Sequence, residues 1–143
     1  MKIIFVCHGN ICRSAMAEFI FRYLSDINGV SDRFEISSAG VSSEETGNDM
    51  YPPAKRMLRE KGIPFSHHTA HRITDSEFND NDLVIALDSS NMRNLQRRFG
   101  CDKKIEMLLE RGVEDPWYTD DFLTAYNDIY RGCSLLLERL LSS

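Results

Sequence analysis

The chain has 143 residues, 42% of them apolar and 27% charged, with a net charge of −5. This is the size and composition of one soluble domain, residues 1–143, and nothing supplies the broad basic footprint of a nucleic-acid binder. No stretch approaches the roughly 18–20 apolar residues of a membrane helix. The opening apolar run also stops too early for a signal peptide, so the expected location is the cytoplasm, away from membranes.

Taken in chain order, residues 2–6 form a short apolar, β-branched run and predict a buried strand. His8-Gly9-Asn10 is a turn signal. Met16, Phe19, Ile20, Tyr23, Leu24 and Ile27 then recur at helical spacing, predicting an amphipathic helix from near Ser14 to Asn28-Gly29. Phe34-Glu35-Ile36 is a second strand candidate, and Pro52-Pro53 suits the start of a helix that ends near Lys61-Gly62. Residues 83–87 are wholly apolar between two aspartates and predict a central strand. Ser89 or Ser90 can cap the helix after it, which presents Met92, Leu95 and Phe99 on one face. Residues 104–108 are a weaker strand candidate. A long stripe, Phe122, Tyr126, Ile129, Tyr130, Cys133, Leu136, Leu137 and Leu140, predicts a C-terminal helix on the sheet. Strands alternating with helices predict an α/β fold, a parallel sheet covered on both faces, with ligands beyond the carboxyl ends of its strands.

The loop after the first strand therefore carries the most weight. It reads Cys7-His8-Gly9-Asn10-Ile11-Cys12-Arg13-Ser14 and contains Cys-x5-Arg. Such a spacing alone is a weak match, but here the Cys ends a strand and the Arg opens a helix. Successive loop N–H groups can form an anion nest, and a helix N-terminus adds partial positive charge. Gly9 and Asn10 tolerate the left-handed backbone a nest needs. Arg13 presents a planar fork to phosphoryl oxygens, the same field favours a thiolate at Cys7, and Ser14 Oγ is placed to donate to it. The plainer reading is a core cysteine followed by a solvated arginine. Against it, an arginine in a first helical turn opposes the macrodipole unless an anion is present.

This loop resembles the signature of the low-molecular-weight protein tyrosine phosphatases, Cys-x-Gly-Asn-x-Cys-Arg-Ser. Four further segments are similar to that family in the expected order: residues 36–40, 62–67, 87–92 and 114–118. The resemblance implies a three-layer α/β/α fold with a four-stranded parallel sheet, no metal and no cofactor. It implies phosphotyrosine-containing proteins or small aryl phosphates as substrates. An isolated single domain makes a monomer the default. Cys7 becomes the nucleophile, Arg13 the phosphate ligand, and Asp115 of Asp115-Pro116-Trp117-Tyr118 the general acid, then base. Such a dual group predicts a mildly acidic optimum. The loop residues His8, Gly9, Asn10, Ile11, Cys12 and Ser14 are expected to bind substrate, with Trp117 and Tyr118 as an aromatic wall. Asn10 is expected to hold the loop's shape through Ser38 and His67. In this family the pair matching Cys7 and Cys12 can form a protective disulfide, while a buried thiol at Cys12 is the alternative. His67, His68 and His71 lie close together but lack the companions of a metal site. Cys101 and Cys133 read as structural. His8, Ala15 and Trp117 depart from the family's usual residues without removing a catalytic group.

Four other readings compete. Arsenate reductases share the loop but add two closely spaced cysteines, which are missing here. Phosphoarginine-specific relatives carry Thr where this chain has Ile11. Phosphocysteine carrier domains lack the loop arginine and the later aspartate, and a pure phosphotyrosine-binding module would need no reactive thiol.

Overall fold

The computed structural model describes residues 1–142. Four parallel strands form one sheet in the order β2-β1-β3-β4: β1 (Lys2–Cys7), β2 (Glu35–Gly40), β3 (Leu83–Ala86) and β4 (Ile105–Met107). β1 lies in the middle, with Ile3, Ile4, Phe5 and Val6 fully buried. Its residues alternate between two cores. Ile3, Phe5 and Cys7 face α1 (Arg13–Ile27), α2 (Pro52–Glu60) and α6 (Phe122–Leu141). Ile4 and Val6 face α3 (Asp75–Asp80) and α4 (Ser89–Phe99). A strand with both faces covered has no polar side, which is why this run is continuously apolar. Each such aliphatic side chain contributes about 1.5–3 kcal/mol by leaving water.

Two short α-helices lie outside the predicted set. α3 buries only Phe78 and carries a Thr74/Glu77 capping box. α5 (Pro116–Thr119) is a single turn opened by Asp115 and Pro116. The predicted strands shift at their ends: β2 runs on to Gly40, and β3 and β4 are each shorter than the segments predicted for them. The cap of α4 is also corrected. Asp88, not Ser89 or Ser90, accepts from Asn91 N at 2.7 Å, because Asp88 still has extended backbone and both serines are already helical. Cys133 is buried in the α6 core, whereas Cys101 is exposed and has no packing role there.

Candidate active site

Everything of interest gathers beyond the carboxyl ends of β1, β3 and β4. The loop from Cys7 to Arg13 turns sharply at Asn10, whose φ of 64° is left-handed. Its carbonyls are tied down from outside. Cys7 O accepts from Val41 N (2.9 Å), His8 O from Ser42 N (3.0 Å), Asn10 O from His68 Nε2 (2.7 Å) and Ile11 O from Tyr51 N (2.8 Å). A trans peptide sets each N–H opposite the preceding carbonyl. The N–H groups of His8, Gly9, Ile11 and Cys12 therefore face inward, forming the nest. α1 has no side-chain N-cap and no acidic residue in its first turn. Its positive end is left open to an anion.

Gly40 sits directly behind this loop. A Cβ there would lie 2.7 Å from His8 O and 3.2 Å from Gly9 C, both backbone atoms that cannot swing away. Gly40→Ala is expected to cost about 1–3 kcal/mol through overpacking and to weaken phosphate binding with it. Thermal melting with and without phosphate checks both effects.

Cys7 is 3% exposed, and its Sγ lies 3.0 Å from Ser14 Oγ. Arg13 is 2% exposed, yet its charge is well held. Nη1 donates to Asp88 Oδ2 at 2.6 Å and to Val113 O at 2.8 Å, and Nη2 to Asp115 Oδ2 at 3.4 Å. Burial works against the guanidinium charge, but Cys7, Asp88 and Asp115 outweigh it and raise its pKa above the usual value. Burial, then the neighbouring Cys7 and Asp115, push the Cys12 thiol far up. Cys12 thus stays protonated at neutral pH. Asp115 also caps α5, with Oδ1 accepting from Trp117 N at 3.1 Å.

A cleft of about 120 Å³ opens over the loop, lined by Cys7, Ile11, Arg13 and Asp115, with Trp117 and Tyr118 on one side and Glu44 and Glu45 also on its wall. Trp117 rests on Tyr51, their ring centroids 4.8 Å apart, while Tyr118 is 81% exposed. His8, Gly9 and Cys12 complete the lining, and His8 Nε2 lies 3.4 Å from Glu44 Oε2. A larger groove of about 540 Å³ runs along the outer side of α1, past Phe19 and Phe65. It holds neither a nucleophile nor the loop, so volume alone does not locate the chemistry.

Some predicted residues lie elsewhere. Asn10 and Ser14 are fully buried behind the loop and do not line the cleft. Asn10 Nδ2 donates to Ser14 Oγ (2.8 Å) and to Ser38 Oγ (3.1 Å). The expected partner His67 is wrong by one position. His67 is exposed and pairs with Asp49 at 3.3 Å, whereas the ring of His68 meets Asn10 O. Burial alternates through this extended segment, with His68 and Ala70 inward and His67 and Thr69 outward. Asp49 fixes that phase by accepting from His68 N at 2.9 Å and pairing with Lys55. Burial opposes its charge, but Lys55 and the backbone N–H groups of His68 and Met50 outweigh this and hold the carboxyl well below its usual range. The three nearby histidines serve separate partners, Asp49, Asn10 O and Glu77. The sequence reading missed Asp88, Gly40 and the acidic wall of Glu44 and Glu45. For Asp88 a signal existed, an aspartate at the carboxyl end of an apolar strand and the start of a helix.

Comparison with known proteins bears directly on this arrangement. Residues 2–143 match the family model described as low molecular weight phosphotyrosine protein phosphatase. The human low molecular weight phosphotyrosine protein phosphatase is 36% identical over 150 residues, covering 96% of this chain and 94% of the human protein. The crystal structure of SP-PTP, a low molecular weight protein tyrosine phosphatase from Streptococcus pyogenes, superposes with a TM-score of 0.91 at 38% identity, covering 97% of this chain and 92% of that one. A Drosophila arginine phosphatase superposes at 0.89 with 29% identity, covering 98% of each chain.

Proposed function

The chain belongs to the low molecular weight phosphotyrosine protein phosphatase family, and from that premise we propose that it hydrolyses phosphotyrosine and small aryl phosphates through a phosphocysteine on Cys7. The observation that carries this reading is the convergence of Cys7, Arg13 and Asp115 on one cleft over an inward-facing nest. The bound phosphoryl group lies in the nest, its oxygens held by loop N–H groups and Arg13. Cys7 thiolate attacks phosphorus in line. The P–O bond to the leaving group breaks, and protonated Asp115 gives that oxygen its proton. Asp115 carboxylate then takes a proton from water. The water oxygen attacks phosphorus, the S–P bond breaks, and phosphate and the thiolate are regenerated. Of Arg13's three partners, Asp115 is the most distant at 3.4 Å. It is the contact that yields when Arg13 turns to phosphate, and Asp115 is then free to serve the leaving oxygen.

The complete site lies within one chain, which supports a monomer as the working unit. Cys7 and Cys12 are both free thiols, which suits a reducing cytoplasm. Among the described residues, no helix is long and apolar enough to cross a membrane.

Phosphoarginine is the second reading, favoured by Glu44 and Glu45, whose charges suit a guanidinium. Ile11 opposes it, since its side chain has no hydrogen-bonding group for the guanidino nitrogens. Comparing kcat/KM for a phosphotyrosine peptide and a phosphoarginine peptide of the same sequence decides between them. Asp115→Asn is expected to lower kcat by about 10²–10⁴-fold on the phosphotyrosine peptide. The loss should be smaller on p-nitrophenyl phosphate, whose leaving group needs little protonation. Equal losses on both substrates would remove Asp115 from the acid role.

A further inference from the structure

Behind the phosphate loop, out of reach of the cleft, a chain of hydrogen bonds joins Cys7 to a second anion. Glu18, on α1, is 8% exposed. Its Oε1 accepts from Ser38 Oγ at 2.6 Å, and its Oε2 pairs with Arg22 Nη2 at 2.8 Å. Ser38 Oγ in turn accepts from Asn10 Nδ2 at 3.1 Å. The same Nδ2 donates to Ser14 Oγ at 2.8 Å, and Ser14 Oγ lies 3.0 Å from Cys7 Sγ.

The directions of these bonds follow from the chemistry. A carboxylate only accepts, so the Ser38 hydrogen must point to Glu18. Ser38 then shows Asn10 a lone pair, which suits the amide's NH2 and not its oxygen. With the NH2 so placed, its second hydrogen goes to the Ser14 oxygen. The Ser14 hydrogen is left for the Cys7 sulfur. One amide thus serves two hydroxyls, and each hydroxyl passes its own hydrogen outward to an anion. If the amide turned over, its oxygen would take the Ser14 hydrogen and Cys7 would lose its donor. Among the described residues, the remaining contact of the amide is at its oxygen, which accepts from His71 N at a long 3.3 Å.

We propose that Glu18 is a positioning residue for Cys7. By drawing the Ser38 hydrogen it fixes the Asn10 amide, and so commits the Ser14 hydroxyl to the sulfur. The inference rests on Cys7 being the nucleophile and adds a residue with no access to substrate. It makes a counter-intuitive claim about sign. As a bare charge, Glu18 would disfavour a thiolate nearby, and deleting it would ease ionisation. As the end of the relay, deleting it hinders ionisation. The other groups bearing on Cys7 are Arg13, Asp115 and Cys12 beside it, and His8, Glu44 and Glu45 across the cleft. All are retained in the test.

The test is the pH profile of Cys7 alkylation by iodoacetate, together with kcat for p-nitrophenyl phosphate, in wild type, Glu18→Met, Ser38→Ala and the double variant. Methionine keeps the buried stem and removes the acceptor. Glu18→Met is expected to move the alkylation midpoint upward by about one pH unit and to lower kcat about tenfold, the scale of one lost hydrogen bond to a charged group. Ser38→Ala should do the same, and the double variant should be no worse than Ser38→Ala alone. An unchanged or lowered midpoint in Glu18→Met overturns the proposal, as does full additivity in the double variant. If Glu18→Met does not fold, Ser38→Ala decides, because a wild-type profile there leaves Glu18 nothing to act through. Alkylation needs no turnover. A wild type that alkylates readily at Cys7 yet hydrolyses no aryl or arginine phosphate defeats the phosphatase reading instead.

Discussion

Cys7→Ser is expected to abolish turnover of p-nitrophenyl phosphate, lowering kcat by at least about 10⁴-fold. A serine hydroxyl is far from ionising near neutral pH and is a much poorer nucleophile than a cysteine sulfur. The rest of the site is untouched, since the nest is backbone and Arg13 keeps Asp88 and Val113 O. Inorganic phosphate should therefore still bind, with affinity close to that of wild type. Steady-state kinetics and calorimetric phosphate titration separate the two properties. Hydrolysis surviving in Cys7→Ser would move the nucleophile elsewhere.

Arg13→Lys is expected to reduce kcat/KM by about 10³-fold despite keeping the charge. Arg13 bridges partners on different elements: Asp88 at the head of α4, Val113 O after β4, and Asp115 at the head of α5. A fork can hold Asp88 and Val113 O through one nitrogen and still offer the other to phosphate. A lysine has one nitrogen, which cannot span these positions. Stability should also fall by about 1–3 kcal/mol, because Asp88 is left with a poorer partner in a part-buried setting. Kinetics and thermal melting together check this. A variant within tenfold of wild type in kcat/KM would show that the planar fork is not what phosphate recognition needs.

The parts of the fold that were legible in the sequence are those with strong periodicity. The short, β-branched apolar run of β1 suits a strand covered on both faces, and the long stripe of α6 suits a packed helix. α3 escaped because Asp75–Asp80 buries a single side chain, Phe78. The Thr74/Glu77 capping box was there to be read and would have found it. Within the site, the loop from Cys7 to Ser14 was legible because its chemistry is local. The residues that meet it from a distance were not. His67 and His68 are adjacent, and in an extended segment one of them must face out. Only the anchoring of His68 N on Asp49 sets which. Glu18 reads as one more polar position on an amphipathic helix until Ser38 is seen beside it.

Asp88 serves two masters. One of its oxygens begins α4 and the other holds Arg13. The clamp cannot be correctly set while the first turn of α4 is frayed, and fraying there releases the arginine. Local melting of a helix outside the cleft and loss of anion affinity are therefore one thermodynamic event. By mass action, any anion that binds through Arg13 also tightens α4. Substrate arrival is then a folding step for part of the scaffold, and a small destabilisation of α4 would register first as a weaker affinity, before any change in global melting.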